Sequence, residues 1–549
     1  MQPRKFSCAL SMVKGAAVVI ILLSALGAFA QNASQASPEA KQKQTVTFTG
    51  APASAQDQST FTVTATSNSG ETATITATGS CTVSGDTVTM TKGKGTCSLK
   101  ASWPANSQYS AATASQKTTA IPGWVESQLW EFSGPPDAGN ITDLWNGLVF
   151  DKAGNLYGNT SSGGEYNDGA VFELTPNGQG GWNETVIHSF DPNSTTVHDG
   201  ALPLGTLAID SKGNLYGTTY NGGANGTGVV YELSPGTGGT WTETILYSFG
   251  AAASGDGYHP YAGVTLGNTT ATILYGTTSC GGTAPANYYS GCSNGNGTVY
   301  ELSYTKPSKT SNGGWKESII YGFASNNAND GFLPQSGLLL NDGNLYGVTP
   351  LGGTGAYGIA AYGYALGTVY ELKPSGSGWT EDVLYNFGAT ANDAAGPAFM
   401  IPVMDSKKNI YGTTSYGGPS NGSGTAWELV YSATNNTYAE QVIYNFGAQS
   451  NDGCGPQWQI VPGKTAGTWF GTTSGCGENG AGTFFELTYS STTGWQETNV
   501  HEFAWGDDGA NIGYSDELIV DKNGNLYGMT GAGGADYNDG NVFEFSPIQ

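Results

Sequence analysis

Carboxylates at repeated positions are the residues of this sequence best suited to chemistry. Seven glutamates each lie two residues after an aromatic residue: Glu126, Glu184, Glu243, Glu317, Glu381, Glu440 and Glu497. Seven more directly follow an aromatic residue: Glu173, Glu232, Glu301, Glu371, Glu428, Glu486 and Glu544. Two carboxylates could form the acid and base pair of a glycoside hydrolase. A residue present in every unit serves a need of every unit, so we interpret these glutamates as hydrogen-bonding groups of a repeated sheet.

A second repeated carboxylate is an aspartate that precedes glycine or alanine. In the loop ahead of a unit's first strand it is recognised six times, as Asp199, Asp256, Asp330, Asp393, Asp452 and Asp508. If the repeats form a ring, these aspartates surround the mouth of its channel, where they could bind a cation such as calcium. Asp-Gly is also a strong turn signal, and we favour this interpretation. The sequence therefore predicts no metal site and no cofactor, with calcium as the alternative.

Two enlarged segments break the symmetry of the repeats. Cys280–Thr298 carries Tyr288 and Tyr289, whereas Gly352–Thr368 carries Tyr357, Tyr362 and Tyr364. Neighbouring rigid aromatic side chains suit stacking on sugar rings or contact with a protein partner. The alternative is that these are tolerated surface insertions.

Motifs of common catalytic sites are missing. The four histidines lack HExxH spacing, and no GxSxG nucleophile elbow between a strand and a helix is indicated. His188 and His501 occupy the repeat position of Tyr247 and Tyr321, which indicates a structural role.

Composition limits the class of partner. The chain has 549 residues, 84 of them glycine, and only 11% are charged, which favours many short strands with tight turns. The formal net charge of −24 argues against nucleic acid or an anionic membrane as a partner. We expect a monomer that binds a polysaccharide or a cell-surface protein.

The N-terminus predicts an export signal over residues 1–30. Arg4, Lys5 and Lys14 precede a short apolar run, and Ala28-Phe29-Ala30 supplies a cleavage site. No second apolar run predicts a membrane span, so the mature chain is expected in the periplasm or outside the cell. Six cysteines then remain, and adjacent pairing is the simplest expectation: Cys81 with Cys97, Cys280 with Cys292, and Cys454 with Cys476.

Two folded regions must position these residues. After a polar linker (31–44), residues 45–120 alternate with period two, as in Phe61, Val63 and Ala65, which predicts a small β-sandwich. GTCSLKASWPANSQYSAA resembles the closing strands of bacterial immunoglobulin-like modules. The resemblance implies a role in spacing or presentation.

A repeat of about sixty residues fills 124–549. Its marker glycines are Gly158, Gly217, Gly276, Gly347, Gly412, Gly471 and Gly528. Each unit has four strand-like pieces, here named a to d, which predicts an all-β, seven-bladed propeller. The last unit lacks strand d, and an additional strand d begins the region at Trp124. That strand should close the last blade, because closure removes exposed sheet edges.

The repeat resembles the GloVer tandem repeats of exported bacterial proteins, the choice-of-anchor group. The segments that carry the resemblance are NLYGTTYNGGANGTGVVYELS and WTETILYSFG. The resemblance implies architecture and export but assigns no catalytic residues. Three functions are therefore carried forward. The leading one is a non-catalytic cell-envelope protein that binds glycans. The second is a carbohydrate-active hydrolase or lyase with its site at the top of the channel, and the third is a structural surface protein.

Overall fold

The structure is a computed structural model. It describes residues 40–548 except 53, 122, 136, 139–146, 195–197, 251–254, 285–291, 309–312, 324–328, 357–365, 398, 420–421, 450–451, 492–493, 507, 510–516 and 534–539. The predicted export signal and most of the polar linker lie outside the described residues.

The N-terminal strands form three small sheets. The strands are Val46–Thr49, Ser54–Gln56, Thr60–Thr62, Thr64–Ser67, Thr74–Gly79, Cys81–Ser84, Thr87–Met90, Gly95–Trp103 and Ala112–Ile121. They make one four-stranded, one three-stranded and one two-stranded sheet. Val63, Val88, Leu99 and Trp103 are buried at 1% exposure or less, so the alternating sequence has one face directed into a core. This arrangement agrees with the predicted β-sandwich.

The rest of the described chain contains seven four-stranded antiparallel sheets, each in the order a-b-c-d. We number them blades 1 to 7 along the chain. The a strands are Val149–Phe150, Ala208–Ile209, Thr265–Leu266, Leu339–Asn341, Val403–Met404, Val461–Pro462 and Ile519–Val520. The b strands are Leu156–Thr160, Leu215–Thr219, Ile273–Thr278, Asn344–Thr349, Ile410–Thr414, Thr468–Thr473 and Leu526–Met529. The c strands are Ala170–Pro176, Val229–Pro235, Thr298–Thr305, Thr368–Ser375, Thr425–Ser432, Thr483–Ser490 and Asn541–Pro547. The d strands of blades 1 to 6 are Trp182–Ser189, Trp241–Ser248, Gly314–Gly322, Gly378–Asn386, Thr437–Asn445 and Gly494–Glu502. A short 3-10 helix, Thr237–Gly239, joins strands c and d of blade 2.

The predicted closing strand is confirmed. Trp124–Glu131 pairs antiparallel with Asn541–Pro547 and so supplies strand d of blade 7. Hydrophobic clusters then join each blade to the next around the complete ring. Blades 6 and 7, for example, share Phe470, Phe484, Phe543 and Phe545. The ring is therefore a closed all-β propeller, with buried apolar contacts between its sheets.

The repeated glycine of strand b has a packing reason. Gly217 is paired with Tyr231 of strand c, and a Cβ on Gly217 would lie 2.4 Å from the Tyr231 hydroxyl oxygen and 2.5 Å from its Cζ. Gly276 and Tyr300 have the same relationship, with a closest distance of 2.3 Å. A strand glycine often marks a close approach of this kind. The LYG motif therefore recurs because each blade packs a large aromatic side chain over its strand b.

The d-to-a and b-to-c connections lie on the same face of the propeller, here called the upper face. In five blades a two-residue strand from each of these connections pairs with the other in a small antiparallel sheet. The pairs are Gly200–Ala201 with Asn221–Gly222, Gly257–Tyr258 with Cys280–Gly281, Gly331–Phe332 with Leu351–Gly352, Ala394–Ala395 with Tyr416–Gly417, and Gly453–Cys454 with Gly475–Cys476. The disulfide between Cys454 and Cys476 joins two such connections, as predicted.

The other two predicted cysteine pairs are also confirmed. Cys81 is bonded to Cys97, and Cys280 is bonded to Cys292. Three disulfides agree with an oxidising environment such as the cell exterior. Among the described residues, no helix has the length and apolar character needed to cross a bilayer.

Candidate functional site

Each boundary between two blades carries a pair of carboxyl groups. A glutamate on strand d of one blade faces an aspartate from the loop that follows strand d of the preceding blade. The pairs are Asp137–Glu184, Asp199–Glu243, Asp256–Glu317, Asp330–Glu381, Asp393–Glu440, Asp452–Glu497 and Asp508–Glu126. We call them the interblade carboxyl pairs.

In four blades a tyrosine of strand d hydrogen-bonds the aspartate of the pair. The Tyr247 hydroxyl is 3.1 Å from Asp256 Oδ2, and the Tyr444 hydroxyl donates to Asp452 Oδ2 at 2.9 Å. Backbone N–H groups hold the same aspartates, as the Ala389 N–H does for Asp393 at 2.7 Å. These contacts are those of a turn that also fixes the next blade, in agreement with the preferred turn interpretation.

The aspartates are less accessible than a ring around a channel mouth would require. The whole-residue exposures of Asp199, Asp330, Asp393 and Asp452 are 3–6%, and their partners lie on the outermost strand of each sheet. One further member of the set was not predicted from the sequence. Asp137 occupies the same place before blade 1, where its carboxylate accepts hydrogen bonds from Ser133 and from the Ala138 N–H.

Burial and the facing aspartate shift the titration of the strand d glutamates. Burial first, and the Asp330 charge second, raise the pKa of Glu381 to about 8. Burial and the Asp452 charge likewise raise the pKa of Glu497 to about 8. The pKa values of Glu317 and Glu440 are raised to about 7 for the same reasons. The pairs of Glu381 and Glu497 therefore retain a proton at neutral pH, and one carboxyl of each serves as a donor rather than as a charge.

The strand c glutamates are held inside their own blades. Glu173 accepts the hydroxyl of Tyr157 at 2.7 Å, and Glu371 accepts that of Tyr346 at 2.6 Å. In both cases the tyrosine is the direct cross-strand neighbour on strand b. These glutamates are thus hydrogen-bonded across the sheet, as the sequence analysis expected.

The upper face carries a groove over blades 4 and 5, with a volume of about 820 Å³. We call it the upper groove. Tyr416 lines it and is 67% exposed, although its side chain is large and mostly apolar. Phe399 lies further in, toward the centre of the propeller. Leu351 and Leu366 also line the groove. They lie on either side of residues 357–365, the part of the second enlarged segment that is outside the described residues.

The polar side chains of the upper groove are amides and hydroxyls, with one carboxylate. Gln335, Asn392 and Gln457 line it, and each amide can both donate and accept hydrogen bonds. Asp393 is the one carboxylate among the described lining residues, and it already accepts hydrogen bonds from Tyr385 and Ala389. None of the described lining residues is basic. The groove therefore presents an aromatic and amide surface with little charge.

A smaller cavity of about 180 Å³ lies at the centre of the propeller and shares Gln335 and Phe399 with the upper groove. Phe399 stacks on Trp458 with ring centroids 5.6 Å apart. Glu517 is the one carboxyl among the described residues that line this cavity. Burial raises the pKa of Glu517 to about 7, opposed by a hydrogen bond from Thr206. A single acid of this kind lacks the partner that a glycoside hydrolase needs.

The five tyrosines predicted from the enlarged segments cannot be placed. Tyr288, Tyr289, Tyr357, Tyr362 and Tyr364 all lie outside the described residues. Their part in ligand binding stays a prediction. Tyr416, Phe399 and Gln457 were missed. A signal existed for Tyr416, because its repeat position is held by Asn221 in blade 2 and by Leu351 in blade 4.

The repeat is recognised by a family model, the Gloeobacter/Verrucomicrobia repeat, which matches residues 127–361 and 287–511. The chain belongs to this repeat family. The two matched regions overlap and together run over residues 127–511, which include blades 1 to 6 and most of strand d of blade 7. No functionally curated protein matches the chain in sequence.

Several solved structures are similar to this Gloeobacter/Verrucomicrobia repeat protein at low identity. An oxidoreductase (glucose dehydrogenase) from Thermus thermophilus has 13% identity and a TM-score of 0.33, covering 77% of this chain and 100% of that one. A mutant of Trypanosoma rangeli sialidase with trans-sialidase activity has 12% identity and a TM-score of 0.35, covering 77% and 59%. A mutant of the NanB sialidase from Streptococcus pneumoniae has 10% identity and a TM-score of 0.35, covering 90% and 82%. Similarities this low carry no argument about activity.

Proposed function

We propose that this protein is an exported, non-catalytic binding protein whose upper groove takes a neutral polysaccharide. The observation that carries the proposal is the composition of that groove. The exposed ring of Tyr416 and the amides of Gln335, Asn392 and Gln457 surround one concave volume of about 820 Å³. Ligand sites are typically concave and largely apolar, with a few polar groups that fix orientation.

A sugar chain suits this surface for two reasons. A tyrosine offers a flat, rigid and amphipathic face, which matches the apolar face of a sugar ring. Sugar hydroxyl groups both donate and accept hydrogen bonds, and so do the amides of glutamine and asparagine. The tyrosines of the second enlarged segment would extend the surface, since Leu351 and Leu366 at its flanks already line the groove.

Charge restricts the class of polysaccharide. The chain has a formal net charge of −24, and the described lining of the upper groove contains Asp393 and no basic residue. A polyanion such as a uronic-acid polymer would be repelled by this field. Neutral glucans, mannans or galactans meet no such penalty, and we expect them to be preferred.

The carbohydrate-active enzyme is the second candidate, and Glu517 is the observation in its favour. This carboxyl lines the central cavity and has a raised pKa of about 7, as a general acid requires. Against it, the described linings of the cavity and of the upper groove each contain a single carboxyl group, and that of the groove is already hydrogen-bonded.

One assay separates the candidates. The chain from Gln31 onward, purified oxidised, would be incubated with neutral and acidic polysaccharides, scoring both retention and new reducing or unsaturated ends. Retention on neutral polymers without new ends supports the binding protein. New ends that disappear in Glu517→Gln support the enzyme, and neither retention nor new ends contradicts both carbohydrate functions.

A further inference from the structure

Two interblade carboxyl pairs have a histidine as their third member, and the pair that contains Asp199 is the more buried of the two. Between blades 1 and 2, His188 stands where four other blades place a tyrosine. His188 Nε2 lies 3.3 Å from Asp199 Oδ2 and 3.5 Å from Glu243 Oε1. The side chains of Asp199 and Glu243 are only 6% and 8% exposed, and that of His188 is 18% exposed.

Two atoms of this cluster are buried without a hydrogen bond. Neither His188 Nε2 nor Glu243 Oε1 has a partner of hydrogen-bond geometry among the described residues. Buried polar atoms left in this way are costly, so they commonly indicate a missing partner. Both atoms point into the space between the three side chains, where they lie within 4.8 Å of each other and of an Asp199 oxygen.

The two separations from the imidazole nitrogen are those of neighbouring ligands around one ion. In a tetrahedral zinc site with bonds of about 2.0–2.1 Å, neighbouring ligand atoms are about 3.3 Å apart. The separations of 3.3 Å and 3.5 Å from the imidazole nitrogen match this edge length, whereas they are long for hydrogen bonds.

Surrounding groups fix the orientation of the possible ligands. The Asp191 N–H donates to Asp199 Oδ2 at 2.8 Å, and the Gly200 N–H donates to Oδ1 at 2.6 Å. The ring of His188 packs edge-on against Phe190, with centroids 4.6 Å apart. Groups that orient ligands in this way raise the affinity of metal sites, because little order is lost on binding.

We propose that His188, Asp199 and Glu243 bind a divalent transition-metal ion, with zinc as the best-matched ion and water as a fourth ligand. One imidazole and two carboxylates are ligands of zinc, while calcium prefers oxygen ligands in greater number. The ion joins strand d of blade 1, the loop that follows it and strand d of blade 2. It therefore stabilises one boundary of the ring.

A second histidine provides the internal comparison. His501 lies 3.3 Å from Glu126 Oε2 and 3.1 Å from Asp508 Oδ1. That cluster is more open, with side chains 20–27% exposed, and His501 is hydrogen-bonded to Asp508. We therefore place the site at His188 and use His501→Tyr as the matched exchange.

The test uses the chain from Gln31 onward, without affinity histidines, and zinc chloride as the probe. Calorimetric titration and metal analysis after gel filtration would compare wild type, His188→Tyr and His501→Tyr. We expect one tightly bound zinc in the wild type and in His501→Tyr. In His188→Tyr we expect affinity to fall at least about tenfold, the effect typical of disturbed metal sites.

Two further measurements keep the result independent of folding. Cobalt(II) should give the visible absorption of a tetrahedral N/O site in the wild type but not in His188→Tyr. Zinc should raise the melting temperature of the wild type and of His501→Tyr but not that of His188→Tyr. Circular dichroism and melting temperatures measured without metal would show whether His188→Tyr folds. His188→Gln repeats the test if the tyrosine variant does not fold. Equal zinc content in wild type and a folded His188 variant, or no tight zinc in the wild type, would overturn the proposal.

Discussion

Glu381 and Asp330 belong to adjacent blades and lie on either side of one tyrosine hydroxyl. Tyr321 Oη is 2.8 Å from Glu381 Oε2 and 3.1 Å from Asp330 Oδ2. A hydroxyl has one hydrogen to donate, so two ionised carboxylates could not both be satisfied there. The raised pKa of Glu381, about 8, supplies the second proton. This boundary between two blades is thus joined by a carboxyl pair that holds a proton at neutral pH.

Stability should fall as pH rises from 5 to 9. Glu381 and Glu497 have folded pKa values of about 8, against an ordinary value of 4.5. A raised pKa means that this contribution to stability is complete below pH 4.5 and is lost as pH rises through 8. Thermal unfolding between pH 5 and 9 measures the effect, and Glu381→Gln provides the control. Glutamine mimics the protonated acid, so the variant should equal the wild type at pH 5 and exceed it by about 1–3 kcal/mol at pH 9. Parallel pH curves for the two proteins would refute the shared proton.

Removing a buried hydroxyl should stabilise the propeller at two positions. Tyr300 and Tyr370 are fully buried, and neither hydroxyl has a hydrogen-bond partner among the described residues. Other blades place phenylalanine at the same point of strand c, as at Phe172 and Phe485. We expect Tyr300→Phe and Tyr370→Phe each to raise the free energy of unfolding by about 1 kcal/mol.

Tyr321→Phe is the matched control for these two variants. It removes a hydroxyl that contacts Asp330 and Glu381, so chemical denaturation should show a loss of about 1–3 kcal/mol. If all three variants shift stability in the same direction, the distinction between paired and unpaired hydroxyls is wrong.

The repeated glycine of strand b should not tolerate a methyl group. A Cβ on Gly276 would lie 2.3 Å from the Tyr300 hydroxyl oxygen and 2.4 Å from its Cζ. Because the Tyr300 ring is fully buried, we expect Gly276→Ala to cost at least about 2 kcal/mol in urea unfolding. Gly378→Ala is the control, since no atom lies within 4 Å of its Cβ position. A loss in Gly276→Ala no greater than in Gly378→Ala would contradict the packing account.

Much of the ring could be predicted because its signals are repeated. The closing strand at Trp124 and the pairing of Cys454 with Cys476 both follow from counting strands and assigning connections to faces. Asp137 escaped because PPDAG has neither the Asp-Gly pair of most of the other aspartates nor the asparagine that precedes Asp393. The depth of Asp330 could not be seen either, since its partners Tyr321 and Glu381 come from two different blades.

The upper groove was harder to predict because its residues are not repeated from blade to blade. Tyr416, Phe399 and Gln457 lie in three different connections, and only the folded ring brings them around one volume. A repeat analysis emphasises what every blade shares, whereas a ligand site on a symmetric scaffold depends on residues that differ between blades. The enlarged segments with Tyr288 and Tyr357 gave that kind of signal, and Leu351 and Leu366 beside the second segment line the groove.

The most direct test of the central claim is the affinity of Tyr416→Ala for a neutral polysaccharide retained by the wild type. Tyr489→Ala is the matched control, because Tyr489 is 53% exposed but lies at the end of strand c that faces away from the upper face. Affinity electrophoresis or calorimetry should show binding at least about tenfold weaker in Tyr416→Ala, as for the loss of a stacking aromatic residue. Binding by Tyr489→Ala should be unchanged. Equal affinity of Tyr416→Ala and wild type, or equal losses in both variants, would contradict a glycan site in the upper groove.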